Sequence, residues 1–265
     1  MKKIKDLIII FTWLKYKKIQ LLQYYLKINS LNKKRNCVLK IDGRVNHGGL
    51  CDRLKSAVVI YAICKANKIP FKIYFISPFK LQSILSPNKY NWIISEKELT
   101  TGFFDTKIVA SYVAKTMLKF KNKKQIHVYN FGGGYLKDVN SLYQTDYTFS
   151  TLFKELFQPG EILLKQIDKL KKEINGPYIS VCYRFQSLLG DFYEGKHFEK
   201  ISSSFQKDEQ EKLLKISIDA LMKIKGKYPD MPILVTSDSA KFSSIISKIP
   251  NIVTIPGKTV HMDFT

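Results

Sequence analysis

The chain alternates short apolar runs with longer amphipathic ones. Cys37 to Ile41 is a β-like run that ends in Asp42-Gly43, a turn signal. After a glycine pair, Leu50, Leu54, Val58, Tyr61, Ala62 and Cys64 recur at helical spacing, so a helix is expected up to about Asn67. Phe71 to Ile76 reads as the next strand, which completes a β-loop-α-β unit. Pro78 to Leu99 shows no regular period. A helix is expected over Ile108 to Phe120, a strand over Gln125 to Asn130 before Gly132-Gly133-Gly134, and helices over Tyr147 to Phe157 and Ile162 to Ile174. Asn175-Gly176-Pro177 then punctuates the chain. Beyond it come a strand (Tyr178 to Tyr183), a polar loop to Gln206, a helix (Asp208 to Tyr228), a strand (Ile233 to Thr236), a helix (Ser239 to Ser247) and a strand (Ile252 to Ile255). Strands alternating with helices predict an α/β protein with parallel sheets. The expected domains are a basic N-terminal helix and linker (1–36), a first α/β domain (37–175) and a second (176–265).

Composition fits this reading. The 265 residues are 45% hydrophobic and 13% aromatic, which excludes general disorder. The net charge of +22 stands out. Lysine carries most of it and is scattered along the chain, the pattern of a compositional bias more than of a dedicated basic surface. Arginine, which nucleic-acid readers use for bidentate contacts, is confined to Arg35, Arg44, Arg53 and Arg184, and no nucleic-acid partner is expected. The four cysteines show neither metal spacing nor a paired pattern, so a reduced, cytoplasmic chain without a metal site is expected. In the first 31 residues, lysines flank the apolar run Leu7 to Leu14. That run is too short to span a bilayer. A basic helix lying on an anionic membrane surface and a helix packed on the core are equally good readings.

Three loops carry candidate chemistry. In His47-Gly48-Gly49-Leu50-Cys51-Asp52-Arg53, glycines let backbone amides approach a ligand. In ISVCYRFQSLLGDFYEG, Arg184 directly follows a strand, where ligands bind in open α/β sheets, and its fork suits a diphosphate. Asp191 and Glu194 are positioned in sequence to pair with it, to hold a sugar, or to take a proton from an acceptor hydroxyl. Thr236-Ser237-Asp238-Ser239 ends a strand and enters a helix; capping alone would explain it, and contact with a nucleotide's base or ribose is the alternative. His261 and Asp263, near the terminus, add a fourth pair.

GGLCDRL with its helix and the strand FKIYF, then ISVCYRF, then ILVTSDS, resemble in order and separation the motifs of the bacterial fucosyltransferase-like family, from about Val38 to Asp263. The resemblance implies a GT-B-like architecture: two Rossmann-like domains facing across a cleft, with a second domain that reads as incomplete because the sequence stops at Thr265. It implies inverting transfer of fucose from GDP-fucose to a glycan hydroxyl in bacterial polysaccharide biosynthesis, with no cofactor or metal. Arg184 would clamp the diphosphate, with Asp191 and Glu194 as catalytic candidates. Ser237, Asp238, His261 and Asp263 would lie at the donor. His47, Gly48, Gly49, Asp52 and Arg53 would line the cleft from the first domain. The sequence departs from the pattern at Phe185 and Cys182, where many relatives carry a basic residue and a histidine. Two other functions stand beside this one: a non-catalytic nucleotide- or glycan-binding relative, and a basic protein that binds membrane surfaces. The expected location is the cytoplasm, peripheral at the inner membrane face through residues 1–31.

Overall fold

The computed structural model describes residues 35–44, 47–109, 123–129, 136–186, 188–191 and 207–255. The chain forms two units, Met1–Leu163 and Leu164–Thr265. The expected N-terminal helix, the Gly132 to Gly134 run, Glu194, His261 and Asp263 lie outside the described residues.

In the first unit, β1 (Asn36–Ile41) is buried along its whole length. It leads through a glycine loop into α1 (Leu50–Ala66) and on to β2 (Phe71–Phe75). An unbroken buried run is what a strand covered on both faces requires. The chain next makes two single 3₁₀ turns, Leu81–Ser83 and Glu96–Glu98, on either side of the short β3 (Leu85–Pro87). The stretch read as irregular is therefore ordered. Trp92 Nε1 donates to the Leu156 carbonyl at 2.7 Å, and the 3₁₀ turn at Glu96 carries a Ser95/Glu98 capping box.

β4 (Thr106–Val109) replaces the start of the helix expected from Ile108; the rest of that helix lies outside the described residues. The run Thr106-Lys107-Ile108-Val109 is mostly β-branched and fits a pleated surface. β5 (Gln125–Val128) completes a four-stranded sheet in the order β2-β1-β5-β4, parallel throughout. Then come α2 (Leu136–Tyr143), which the sequence reading missed, and α3 (Phe149–Leu156), capped by the Thr148 side chain. β6 (Phe157–Pro159) takes the last residue of the expected helix and pairs antiparallel with β3.

α4 (Glu161–Ile174) runs through the border between the units. The second unit has a three-stranded parallel sheet in the order β7-β8-β9: β7 (Ile179–Tyr183), β8 (Ile233–Ser237) and β9 (Ile252–Thr254). Between them lie α5 (Lys207–Lys227) and α6 (Ala240–Ile246). The core gathers Phe185, Leu221, Ile233, Val235, Phe242 and Ile246. In β8, Ile233 and Val235 are buried while Leu234 and Thr236 are half-buried, the period of a strand. Among the described residues β7 lies at the end of the sheet, with Ser180 and Cys182 exposed, so the strand that delivers Arg184 is only partly covered.

Candidate functional site

The two larger sheets are parallel, so each collects its βα loops at one edge, the carboxyl ends of its strands. Ligands of open α/β sheets bind there, at the point where the strand order reverses.

In the first unit the order reverses between β1 and β5. The chain leaving β1 turns at Gly43 (φ +81°), where an added Cβ would meet Ser77 Oγ at 2.9 Å. It turns again at Gly48 (φ +72°) before α1. The loop is fastened by Arg53, which is buried. Its Nε donates to the Gly48 carbonyl and its Nη1 to the Ser77 carbonyl, both at 2.8 Å, and its guanidinium lies 5.5 Å from the Phe75 ring centroid. Arg53 thus ties the start of α1 to the end of β2. A buried guanidinium needs such acceptors, and here the backbone supplies them. Asp52 is exposed on the first turn of α1, 3.6 Å from Lys55. His47 is buried, with its ring centroid 6.5 Å from that of Tyr129 in a stacked arrangement.

Beside this loop is a charged group that sequence reasoning did not single out. Lys40 is the next-to-last residue of β1 and is buried; its Nζ lies 3.4 Å from Asp42 Oδ2 and 5.7 Å from the ring centroids of both Tyr74 and Tyr129. Arg44 Nη1 stands 3.4 Å from the same oxygen, which also accepts from Tyr129 Oη at 3.4 Å. Burial pulls the Lys40 ammonium down to a pKa of about 8, against the opposing pull of Asp42. Burial, helped by the Asp42 charge, raises the Tyr129 hydroxyl. On β5, two residues before Tyr129, His127 is fully buried and bonded to Gln125 Oε1 at 2.8 Å; burial and the Lys40 charge hold its pKa well below the usual range. The available signal was a lysine inside the apolar run Cys37-Val38-Leu39-Lys40-Ile41, which needs a partner if the strand is buried.

In the second unit the edge is organised by carboxylates. Asp238, at the end of β8, accepts from the backbone amides of Phe185 and Gln186, one on each oxygen, at 2.8 Å. These amides directly follow Arg184, and Gln186 adopts φ +56°, a left-handed conformation that the clamp holds in place. Asp191 Oδ2 accepts from Ser239 Oγ at 2.9 Å and from the Lys241 amide at 2.6 Å. Ser239 caps α6 by accepting from the Phe242 amide at 3.0 Å, and its own amide donates to Ser237 Oγ at 3.0 Å. Arg184, Ser237, Asp238 and Asp191 therefore come together at one edge, with the exposed Arg184 side chain leaving the end of β7. Asp238 and Asp191 hold backbone and helix terminus in place, and Arg184 brings a guanidinium to this edge.

The opposite edge of the second sheet carries a groove of about 460 Å³ lined by Pro177, Tyr228, Met231 and Pro232, among others. None of the sequence-predicted residues lines it. Among the described residues, no group of three or more His, Cys, Asp or Glu side chains is arranged to hold a metal ion, and no helix is long and apolar enough to cross a membrane.

No protein-family model and no curated protein matches the sequence. Two crystal structures of fucosyltransferase NodZ from Bradyrhizobium, one of them the selenomethionine form, are similar in fold. Each is 11% identical and covers 85% of this chain and 79% of the other, with TM-scores of 0.50 and 0.51. At that identity the likeness is one of fold. It agrees with the α/β, GT-B-like class expected from the sequence.

Proposed function

We propose that this chain is a glycosyltransferase that moves fucose from GDP-fucose to a glycan hydroxyl with inversion. The observation that carries the reading is the convergence of Arg184, Ser237 and Asp238 at the carboxyl edge of the second parallel sheet. The fold shared with a fucosyltransferase supports it.

The chemistry follows from charge. As the glycosidic bond to the diphosphate breaks, negative charge grows on the leaving phosphate. A guanidinium held in advance at that place stabilises the transition state without reorganising. Asp238 contributes indirectly: by fixing the Phe185 and Gln186 amides it sets the direction in which Arg184 leaves the strand. The acceptor hydroxyl must lose a proton. Because Asp191 Oδ2 is already committed to Ser239 and Lys241, Glu194 is the better-suited carboxylate for that proton. The glycine loop and the Lys40–Asp42–Arg44 group of the first unit are assigned to acceptor recognition.

A second reading, a relative that binds the nucleotide without transfer, is favoured by that same commitment of Asp191 to the terminus of α6. A thermal-shift titration with GDP, GDP-fucose, GDP-mannose and UDP-sugars, followed by turnover of GDP-fucose with glycan acceptors, tests both. Stabilisation by guanosine nucleotides that rises with concentration, together with turnover, supports the transferase. Stabilisation without turnover for any acceptor favours the second reading. A well-folded protein indifferent to every nucleotide removes both.

A further inference from the structure

Arg184 stands between two aromatic residues that belong to the core of the second unit. Tyr183 packs against that core, and Phe185 is part of it at 4% exposed. Their rings stack at 5.9 Å between centroids and 6° from parallel. Phe242 of α6, fully buried, closes against both: its centroid lies 4.8 Å from that of Tyr183 and 5.0 Å from that of Phe185, steeply tilted to each. Such contacts favour particular ring orientations beyond the burial of area. Tyr183 Oη also donates to the Ser217 carbonyl of α5 at 3.1 Å.

Successive side chains of an extended chain point to opposite faces. The alternation of β7 continues past its last residue. Ile179, Val181, Tyr183 and Phe185 pack in the core, whereas Ser180, Cys182 and Arg184 are exposed. Two rings stacked on the core side, one before and one after Arg184 in sequence, therefore send its guanidinium to the other side. The chain beyond is fastened as well. Asp238 holds the Phe185 and Gln186 amides, the Leu188 amide donates to the Phe185 carbonyl at 3.0 Å, and Leu189 returns to the core at 3% exposed. Phe185 stands where many members of the fucosyltransferase-like family carry a basic residue; a charge in this apolar cluster would need a partner.

We propose that Tyr183 and Phe185 are positioning residues for nucleotide binding that act through Arg184: their stacked rings fix the direction in which its guanidinium meets a nucleoside diphosphate. The inference rests on the donor-site reading of Arg184. A charged group whose neighbours are locked by packing is set in place before the ligand arrives, so less ordering remains to be done on binding.

Calorimetric titration of GDP into wild type, Phe185→Leu, Arg184→Ala and the double variant tests the proposal. Leucine keeps the position apolar and removes the stack. Phe185→Leu is expected to weaken GDP binding about fivefold or more when Arg184 is present, and by less than about twofold when Arg184 is already alanine, because residues that act through one another are not additive. Tyr183→Leu, carried through the same cycle, is expected to behave alike, and it decides the matter should Phe185→Leu not fold. Equal losses in both backgrounds would leave the rings a merely structural role and overturn the proposal. A folded Phe185→Leu that binds GDP as wild type does would overturn it too. Wild type that binds no GDP would instead overturn the donor-site reading, and this proposal with it.

Discussion

The carboxyl edges of the two sheets hold their loops in place with opposite charge. In the first unit a cation collects carbonyls: Arg53 draws in Gly48 and Ser77. In the second, carboxylates collect amides: Asp238 takes Phe185 and Gln186, and Asp191 takes Lys241. The second edge also carries the exposed Arg184, whose guanidinium fork suits a diphosphate. The first edge keeps a buried carboxylate, Asp42, between Lys40 and Arg44. An Arg and an Asp near a glycine or serine loop thus have meanings that depend on which backbone groups they hold.

The largest effect that would break this comparison is at Arg53. Arg53→Ala removes a buried donor from two carbonyls and leaves a void, so a loss of about 3 kcal/mol is expected in urea unfolding. A loss under about 0.5 kcal/mol would mean that the glycine loop does not depend on it. Asp238→Ala should cost about 2–3 kcal/mol, because two amides lose their acceptor. It should also weaken GDP binding although Asp238 need not touch the nucleotide. Unchanged GDP affinity would separate the clamp from the donor site.

Lys40 sharpens the comparison through pH. Its folded pKa of about 8 lies below the unfolded value of about 10.4, so between these the unfolded chain binds more protons and stability rises with pH. The contribution is present above about pH 10.4 and lost as pH falls towards 8. Relative to Lys40→Met, wild type should gain about 2 kcal/mol from pH 8 to pH 10. Parallel pH profiles for the two proteins would contradict a buried, depressed lysine. The smallest effect is at Asp191: Asp191→Ala should cost about 1 kcal/mol through the α6 terminus, read in the same unfolding experiment.

The elements with a clear period were legible in the sequence. Leu50 to Cys64 announced α1, and the short apolar runs between turn residues announced β1, β2, β8 and β9. What failed was local ambiguity. Ile108 and Val109 fit a helix or a strand until β5 is known to lie beside them. α2 buries only Val139 and follows a glycine run, so it carries little signal. β3 and β6 are three residues each, and neither means anything without the other. The site shows the same division. The place of Arg184 directly after β7 was legible in the sequence. Asp238 was named as a donor contact, whereas its hydrogen bonds run to amides more than fifty positions earlier, a relation only the fold creates. Lys40 and Tyr129 escaped notice for that reason too: they meet only because β1 and β5 pair.

The central claim is that the carboxyl edge of β7 and β8 is a nucleotide-sugar donor site built on Arg184. Calorimetric titration of GDP and GDP-fucose into wild type and Arg184→Ala tests it most directly. The account predicts binding by wild type and a loss of about 10- to 100-fold in the variant, whose melting temperature should stay near that of wild type because Arg184 is exposed. Equal affinity in the two proteins, or no binding of either nucleotide by folded wild type, would contradict it.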